Sequence, residues 1–226
     1  MKILAIDTAT ERCSVAIAVD DNILERTADT PRGHADLVLP MIESLLGEAG
    51  LSLAQLDGIA YGRGPGAFTG VRIAVGVVQG LAFGARLLTV GVSNLAAVAQ
   101  QVARPGDRVL VCMDARMGEV YRGLFECDAG SGLVRELMAE EVAPPERVVE
   151  QMQSLPPVDI LAGTGFNAYP QLRSIRATGP TFDSLLPRAR EIAVLGGHEF
   201  AAGGGRKAAE AQPVYLRNQV ASVKRV

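Results

Sequence analysis

The order of predicted strands and helices repeats between the two halves of this chain, and few folds accommodate that order. Each half opens with three strands joined by short turns, which is typical of an antiparallel meander, and continues with helices that alternate with strands. In the first half the strands are predicted at 2–6, 13–19, 23–27, 56–61 and 87–92, and the helices at 37–49, 71–85 and 94–102. In the second half the strands are predicted at 108–113, 119–127, 133–141 and 158–162, and the helices at 144–152, 167–172 and 185–202. The repetition lies in the architecture, without a sequence repeat at a fixed period.

Two halves of this kind predict an α/β protein with two ribonuclease-H-like lobes, the arrangement of the actin, sugar-kinase and heat-shock-ATPase (ASKHA) fold. The segment Arg104-Pro105-Gly106-Asp107 lies between the halves, and its Pro and Gly mark the predicted domain boundary. We therefore expect a first lobe over residues 1–105 and a smaller second lobe over residues 106–226. The polar C-terminal tail from residue 211 onward is expected to be able to return to the first lobe.

The charge and the aromatic content argue against a protein that holds nucleic acid tightly by itself. Its 22 Lys and Arg against 25 Asp and Glu give a net charge of −3, whereas such proteins are usually basic. Aromatic residues make up 4% of the chain, too few for a base-stacking platform. The most apolar run, between Arg72 and Arg86, is shorter than the about 18 residues that cross a bilayer. Three Cys without CxxC spacing indicate reduced thiols. We expect a cytoplasmic protein that has no membrane span.

The predicted helix 71–85 contains glycine at every fourth residue, Gly76, Gly80 and Gly84. Each interior glycine costs a helix about 0.8–1 kcal/mol relative to alanine. Three of them cost roughly 2–3 kcal/mol, so the helix needs a compensating gain. Close approach of another backbone along the glycine ridge is the usual one.

Helices 37–49 and 71–85 carry more apolar surface than a single layered domain is expected to cover. A helix that is apolar all round is buried on every side, yet an outer helix of a small α/β domain has one face toward solvent. Either the two helices cover each other and the sheet, or a partner protein covers them; we favour the partner. The predicted partner or dimer interface consists of Leu37, Met41, Leu45, Val71, Val75, Val78 and Ala82.

Five residues at strand ends and glycine turns are candidates for contacts with a nucleotide. In this fold class the turn after the first strand approaches phosphates and a metal, and Asp7 and Thr8 occupy that turn. Asp114 follows the first strand of the second half, and Gly163 and Gly165 lie where a glycine turn faces adenosine. Each Asp taken alone is a common turn former that bonds its own backbone. Together the five indicate a degenerate nucleotide cleft, and both interpretations stay open.

The glycine-rich loop 62–70 has no Walker spacing, because it lacks the Gly-Lys-Ser/Thr ending. Its position before a helix suits an anion bound by free backbone N–H groups. The same glycines also suit a tight turn packed on the sheet, and the sequence does not decide between the two. No set of nucleophile and base stands out, and Glu140 and Glu141 are expected to form a solvated strand end.

Four segments together resemble the bacterial TsaB (YeaZ) family. They are MKILAIDTAT at 1–10, YGRGPGAFTGVR at 61–72, DARMGEVY at 114–121 and PVYLR at 213–217. The resemblance is dense over residues 1–121 and thin in the middle of the second half. The glycine loop with its Phe-Thr-Gly-Val-Arg ending is its most specific part.

The resemblance implies a non-catalytic subunit of the machinery that forms threonylcarbamoyladenosine in tRNA, next to the anticodon. Family members pair with and activate the transferase TsaD, and the ATPase TsaE joins the assembly. The two apolar helices would form the bundle with TsaD, or with a second copy in a homodimer when TsaD is absent. The assembled complex uses ATP and reaches tRNA, whereas this chain is expected to bind no cofactor of its own.

One departure from the catalytic relative matters for the chemistry. TsaD binds its metal with two histidines four residues apart on the first helix, whereas here Val38 follows His34 at that spacing. The resemblance therefore implies neither a metal nor transferase activity in this chain, and it disfavours a metallopeptidase. The alternative is an independent ATP-dependent enzyme that uses Asp7 and Asp114 around a magnesium ion.

Overall fold

The computed structural model describes residues 1–20 and 22–217, and in them the chain forms two five-stranded mixed sheets. The first sheet has the order β3-β2-β1-β4-β5 and the second the order β10-β9-β6-β7-β8. In each sheet three strands form an antiparallel meander and two further strands are parallel to its first strand or to each other. The predicted two-lobed ribonuclease-H-like architecture is confirmed.

The strands of the first sheet are β1 Lys2–Asp7, β2 Arg12–Val19, β3 Asn22–Asp29, β4 Gly58–Gly62 and β5 Leu88–Val92. Those of the second are β6 Arg108–Asp114, β7 Val120–Cys127, β8 Val134–Ala143, β9 Ile160–Ala162 and β10 Thr181–Phe182. The helices are α1 His34–Ala49, α2 Phe68–Ala85, α3 Asn94–Gln100, α4 Pro145–Gln153, α5 Gly165–Ala168 and α6 Ala189–Ala201. Short 3-10 turns occupy Leu53–Gln55, Pro170–Ser174 and Ala208–Glu210.

The helices form layers because alternate residues of a strand point to opposite faces of its sheet. One face of the first sheet, including Leu4 and Ile6, packs on α1 and α2. The opposite face, including Ile3 and Ala5, packs on α6. Helix α3 lies between the sheets, with Leu95 and neighbouring residues in the core of the second sheet. Helices α4 and α5 cover the remaining face of the second sheet.

Local signals placed several helix ends correctly. The predicted start of α3 at residue 94 is correct, because Ser93 caps the helix: its Oγ accepts hydrogen bonds from the N–H groups of Leu95 and Ala96, both at 3.1 Å. Gly50 ends α1 in the left-handed conformation with a φ of 63°. Helix α1 begins three residues earlier than predicted and continues through Pro40, since the proline lies in the second turn, where it removes only one backbone donor. Helix α6 begins at Ala189 and is shorter than predicted.

The domain boundary after residue 105 stays a prediction, and two later segments contact the first sheet. Helix α6, which belongs to the predicted second lobe, packs on β1, β2 and β4. The segment after it also returns, since Val214 N–H donates to the Arg63 carbonyl at 2.7 Å. Residues 218–226 of the predicted second lobe and tail lie outside the described residues. Below, "first lobe" means the first sheet with α1, α2 and α6, and "second lobe" means the second sheet with α4 and α5.

Helix α2 is long and apolar enough to cross a membrane by length and composition alone. In the structure, however, it packs on the first sheet through Ala74, Val75, Val78 and Ala82. A core helix of a folded domain passes the same composition test.

Candidate functional site

The single chain buries five of the seven predicted interface residues. Leu45 of α1 lies in the core of the first lobe with Val75, Val78 and Ala82 of α2, and Val71 at the start of α2 is also buried. Leu37 and Met41 are half-buried against the same core. In this conformation a partner cannot reach the buried five, so any contact surface must lie on the outer sides of the two helices.

The outer side of α2 is an exposed ridge, here called the α2 ridge, in which five residues recur at every fourth position and Phe83 lies beside the last of them. It consists of Phe68, Arg72, Gly76, Gly80, Phe83 and Gly84. Phe83 is 82% exposed and Phe68 is 44% exposed, so a large apolar side chain stands near each end. A Cβ built at any of the three glycines would meet nothing within 4 Å. The close approach that was predicted for the glycines therefore does not occur within the described part of the chain.

The C-terminal segment lies along one flank of α2. Gln79 Nε2 donates to the Ala211 carbonyl at 2.8 Å, and Ala208 and Ala211 belong to the core that α2 joins. Farther along, the Tyr215 ring lies 5.4 Å from the Phe68 ring, and the Arg72 guanidinium lies 3.4 Å above the Phe68 ring. These contacts fix the N-terminal end of the α2 ridge.

The glycine-rich loop is held against the turn that follows β1. A Cβ at Gly66 would lie 2.5 Å from the Ala9 carbonyl oxygen, and one at Gly70 would lie 2.0 Å from the Thr8 carbonyl oxygen. Thr8 Oγ1 also donates to the Gly70 carbonyl at 2.7 Å. Such distances leave no room for a side chain, so the packing requirement accounts for these glycines. The loop acts as a tight cover over the turn and positions the start of α2.

Asp7 is sealed beneath this cover. Its side chain is fully buried, and its Oδ1 accepts a hydrogen bond from Asn94 Nδ2 at 2.7 Å. The Asn94 Oδ1 in turn accepts from Gly64 N–H at 2.7 Å, while Oδ2 of Asp7 has no hydrogen-bond partner among the residues that the structure describes. Burial raises the pKa of the Asp7 carboxyl to about 6, and the hydrogen bond from Asn94 offsets part of this rise. Asp7 thus ties the loop to the start of α3, away from the surface of the cleft.

Asp114 behaves as a turn former at the end of β6. Its Oδ1 accepts hydrogen bonds from Arg116 N–H at 2.8 Å and from the Tyr169 hydroxyl at 3.1 Å. Gly163 and Gly165 pack against β6, where a Cβ would lie 2.5 and 2.8 Å from the Cys112 carbonyl oxygen. These two glycines are therefore explained by close packing, as those of the glycine-rich loop are.

A cleft of about 1020 Å³ separates the glycine-rich loop and the start of α1 from the end of β6 and α5. Its lining includes Thr8, Thr10, Arg32, Thr69, Asp114 and Thr164. It brings two of the five predicted nucleotide contacts, Thr8 and Asp114, to one cavity. Asp7, Gly163 and Gly165 do not line it. Whether any of the five contacts a nucleotide stays a prediction.

His34 is buried at the start of α1, where its Nε2–H donates to the Thr10 carbonyl at 2.8 Å. Val38, one turn later, lies in the core of the first lobe. Within residues 1–20 and 22–217, no three His, Cys, Asp or Glu side chains are grouped so that they could hold a metal ion. His34 serves to fasten α1 to the turn after β1.

The expectation that Glu140 forms a solvated strand end is wrong. Its side chain is only 5% exposed, and its carboxylate contacts Arg63 and Ser93. The sequence analysis also missed Asn94, which links Asp7 to the glycine-rich loop. The available signal for Glu140 was weak, namely a charged side chain inside a predicted strand, where it needs either solvent or an opposite charge.

A family model and several known proteins match most of the chain. A family model described as TsaD, tRNA N6-adenosine threonylcarbamoyltransferase, matches residues 27–222. The tRNA threonylcarbamoyladenosine biosynthesis protein TsaB of Escherichia coli K12 is 43% identical over 226 residues, which cover 98% of this chain and 96% of that protein. The protein of the same name from Haemophilus influenzae is 39% identical, over 97% of this chain and 95% of its own length.

Two solved structures from Pseudomonas aeruginosa have the same fold. One, an uncharacterized protein with similarity to peptidase YEAZ, superposes with a TM-score of 0.86 at 44% identity and covers 96% of this chain and 99% of its own. The other, YeaZ, has a TM-score of 0.84 at 42% identity and covers 95% and 99%.

Proposed function

Since this chain belongs to the TsaB (YeaZ) family, we propose that it is a non-catalytic partner of a TsaD-type transferase in the formation of threonylcarbamoyladenosine in tRNA. In this role it binds TsaD and activates it, and the chemistry takes place on the partner. The proposal rests on one observation above all, the exposed α2 ridge with its three glycines.

The three glycines of the α2 ridge lower the stability of the helix, and contacts within the described part of the chain do not offset this loss. Three interior glycines destabilise the helix by roughly 2–3 kcal/mol relative to alanine. Because nothing among residues 1–20 and 22–217 lies within 4 Å of the Cβ positions of Gly76, Gly80 and Gly84, no packing within this part of the chain offsets that cost. A second helix can approach such a surface to backbone contact, and Phe83 at one end provides an apolar side chain to bury against it.

The relationship between this chain and TsaD supports the choice of partner. A TsaD family model matches residues 27–222, so TsaD carries a related fold with equivalent helices. Two related surfaces can pair as a heterodimer, and two copies of this chain can pair in the same way when TsaD is absent. TsaE joins the assembly as the ATPase. The net charge of −3 suits a subunit that reaches tRNA through its partners, in the cytoplasm, where tRNA is modified.

Reconstitution of tRNA modification tests the proposal. TsaD and TsaE of the same organism are combined with tRNA, threonine, bicarbonate, ATP and the enzyme that supplies the threonylcarbamoyl adenylate, with or without this chain. We expect modified adenosine to form only when the chain is present, and to be lost with Gly80→Glu, which places a charge on the α2 ridge. Gly197→Glu is the matched control, because Gly197 is also a helical glycine without a neighbour within 4 Å, but lies on α6, across the first sheet. Equal modification without the chain, or with Gly80→Glu, contradicts the proposal.

An independent ATP-dependent enzyme is the second candidate, favoured by the cleft that Thr8, Asp114 and Thr164 line together. The sealed position of Asp7 counts against it, because a carboxylate that cannot reach the cleft cannot hold a magnesium ion there. Titration of the isolated chain with ATP, followed by a phosphate-release assay, separates the two candidates. Turnover by the chain alone that disappears with Asp114→Ala would favour the enzyme.

A further inference from the structure

Two ion pairs connect the first lobe and its returning tail to the second sheet, and the function proposed above uses neither. In the first, Arg63 Nη2 in the glycine-rich loop lies 3.5 Å from Glu140 Oε2 on β8. Ser93, at the point where the chain passes from β5 into α3, donates its hydroxyl to the other oxygen of Glu140. The buried carboxylate of Glu140 thus contacts two segments that follow strands of the first sheet, one through Arg63 after β4 and the other through Ser93 after β5.

The second ion pair joins the tail to the turn between β6 and β7. Arg217 Nε and Nη2 lie 3.1 and 2.5 Å from Glu119 Oε2, and Nη2 also donates to the Arg116 carbonyl at 3.4 Å. Arg116 and Met117 have φ values of 62° and 56°, a left-handed backbone that is strained for residues with a side chain. Such strain persists only where surrounding contacts hold it, and Arg217 adds contacts to the hydrogen bond that Arg116 N–H donates to Asp114.

Arg63 links the two ion pairs through its own backbone. Its N–H donates to the Val92 carbonyl at 2.9 Å, and its carbonyl accepts from Val214 N–H at 2.7 Å. The residue that holds Glu140 is therefore also the one that anchors the tail three residues before Arg217. Movement of the second sheet relative to this segment would strain both ion pairs together.

The burial of Glu140 makes its contacts hard to break. Burial raises the pKa of its carboxyl, while the hydrogen bond from Ser93 and the charge of Arg63 counteract the rise. Glu136 on the same strand is the remaining charge that acts on it. Loss of either favourable contact would leave a carboxylate in a poorly solvated position, which is strongly unfavourable. In the part of the chain that the structure describes, the other ion pairs do not join the first lobe or its tail to the second sheet.

We propose that Arg63–Glu140 and Arg217–Glu119 form a lock that holds the two sheets in one relative orientation and keeps the cleft at a fixed width. In many two-lobed proteins that close around a ligand, the cleft opens and closes by a hinge motion between the lobes. Here the lock adds to the packing of α3 between the two sheets, so that the α2 ridge and the Arg116–Glu119 turn keep a constant spacing. The lock does not depend on the identity of the partner.

Pulsed electron paramagnetic resonance measures the distance between the lobes in the full chain. Nitroxide labels are attached at Ser44→Cys on α1 and Glu150→Cys on α4, two exposed positions on different lobes. The three native cysteines are buried, and mass spectrometry verifies that two labels are bound per chain. We expect one narrow distance population in the parent protein and at least a twofold broader distribution when Glu119→Gln and Glu140→Gln are combined.

Matched variants make the result specific. Asp183→Asn removes an ion pair with Arg173 that lies within the second lobe at 2.7 Å, and it should leave the distribution narrow. Exchange of the charges, Glu119→Arg with Arg217→Glu, should restore the narrow distribution that Glu119→Arg alone broadens. Circular dichroism verifies that each variant is folded; should the combined variant not fold, Glu119→Gln alone, at a half-exposed position, is measured in its place.

Three outcomes overturn the lock. A broad distribution in the parent protein shows that the lobes already move freely. An unchanged distribution in the Glu119→Gln variant and in the combined variant shows that the ion pairs do not restrain them. Equal broadening by Asp183→Asn shows that the loss of any ion pair has the same effect.

Discussion

Replacing the three ridge glycines by alanine should stabilise the single chain and weaken its pairing. The perturbation is Gly76→Ala, Gly80→Ala and Gly84→Ala in one variant, at positions where a Cβ meets nothing within 4 Å. The gain in helix propensity is about 0.8–1 kcal/mol at each site, or roughly 2–3 kcal/mol together. For a chain of this length, each kcal/mol raises Tm by about 2–4 °C, so the unfolding midpoint should rise by roughly 4–12 °C.

The effect on pairing should have the opposite sign. Three added methyl groups separate the two helices at the point of closest approach, and forced overpacking of this kind costs typically 1–3 kcal/mol. We therefore expect Kd for TsaD to rise about 5- to 150-fold. Differential scanning calorimetry gives the first quantity and isothermal titration calorimetry the second, on the same preparation.

Gly70→Ala is the matched control within the same helix. Its Cβ would lie 2.0 Å from the Thr8 carbonyl oxygen, so this variant should lower Tm although it also replaces a helical glycine by alanine. Two results would refute the reasoning. A triple variant that is less stable than the parent would show that packing within the chain requires the ridge glycines. An unchanged Kd would show that the ridge is not a contact surface.

Three further predictions concern the core and the buried network. Folding raises the pKa of Asp7 from 3.8 to about 6, so the folded state binds a proton more readily than the unfolded state. The free energy of unfolding that this proton contributes is therefore lost as the pH rises from 4 to 6, and the loss is about 3 kcal/mol. In urea titrations the unfolding free energy of Asp7→Asn relative to that of the parent should therefore increase by that amount from pH 4 to pH 7. A difference that stays constant with pH would contradict this. Leu45→Ala should cost the single chain about 2–5 kcal/mol of unfolding free energy, and a loss below about 1 kcal/mol would contradict its place in the core. Gln79→Ala removes the hydrogen bond to the Ala211 carbonyl and should speed hydrogen exchange at residues 212–217 relative to β1; unchanged exchange would show that the tail is held elsewhere.

The architecture could be predicted because its signals are local. Short apolar runs, turn residues and the Ser93 cap each act over a few positions, and together they specified two meanders followed by alternating helices and strands. The start of α1 lies three residues before the predicted one. The return of α6 to the first sheet was not predicted, because a contact between Ala189 and residues more than 170 positions earlier leaves no local pattern.

The orientation of α2 could not be read from the sequence for a different reason. A helix that is apolar all round has no polar stripe to fix its rotation, so core residues such as Val75 and Val78 could not be told from surface residues. The glycines were ambiguous in the same way. Gly70 exists because a carbonyl oxygen lies where its side chain would be, whereas Gly80 lies beside open space, and only three-dimensional contacts distinguish the two.

The association of the chain with TsaD tests the central claim most directly. Sedimentation equilibrium of the purified chain, of TsaD and of their mixture gives the mass of each species in solution. We predict a complex of the two proteins in the mixture, lost with Gly80→Glu and retained with Gly197→Glu. A chain that stays monomeric at high concentration and leaves the mass of TsaD unchanged would contradict the account.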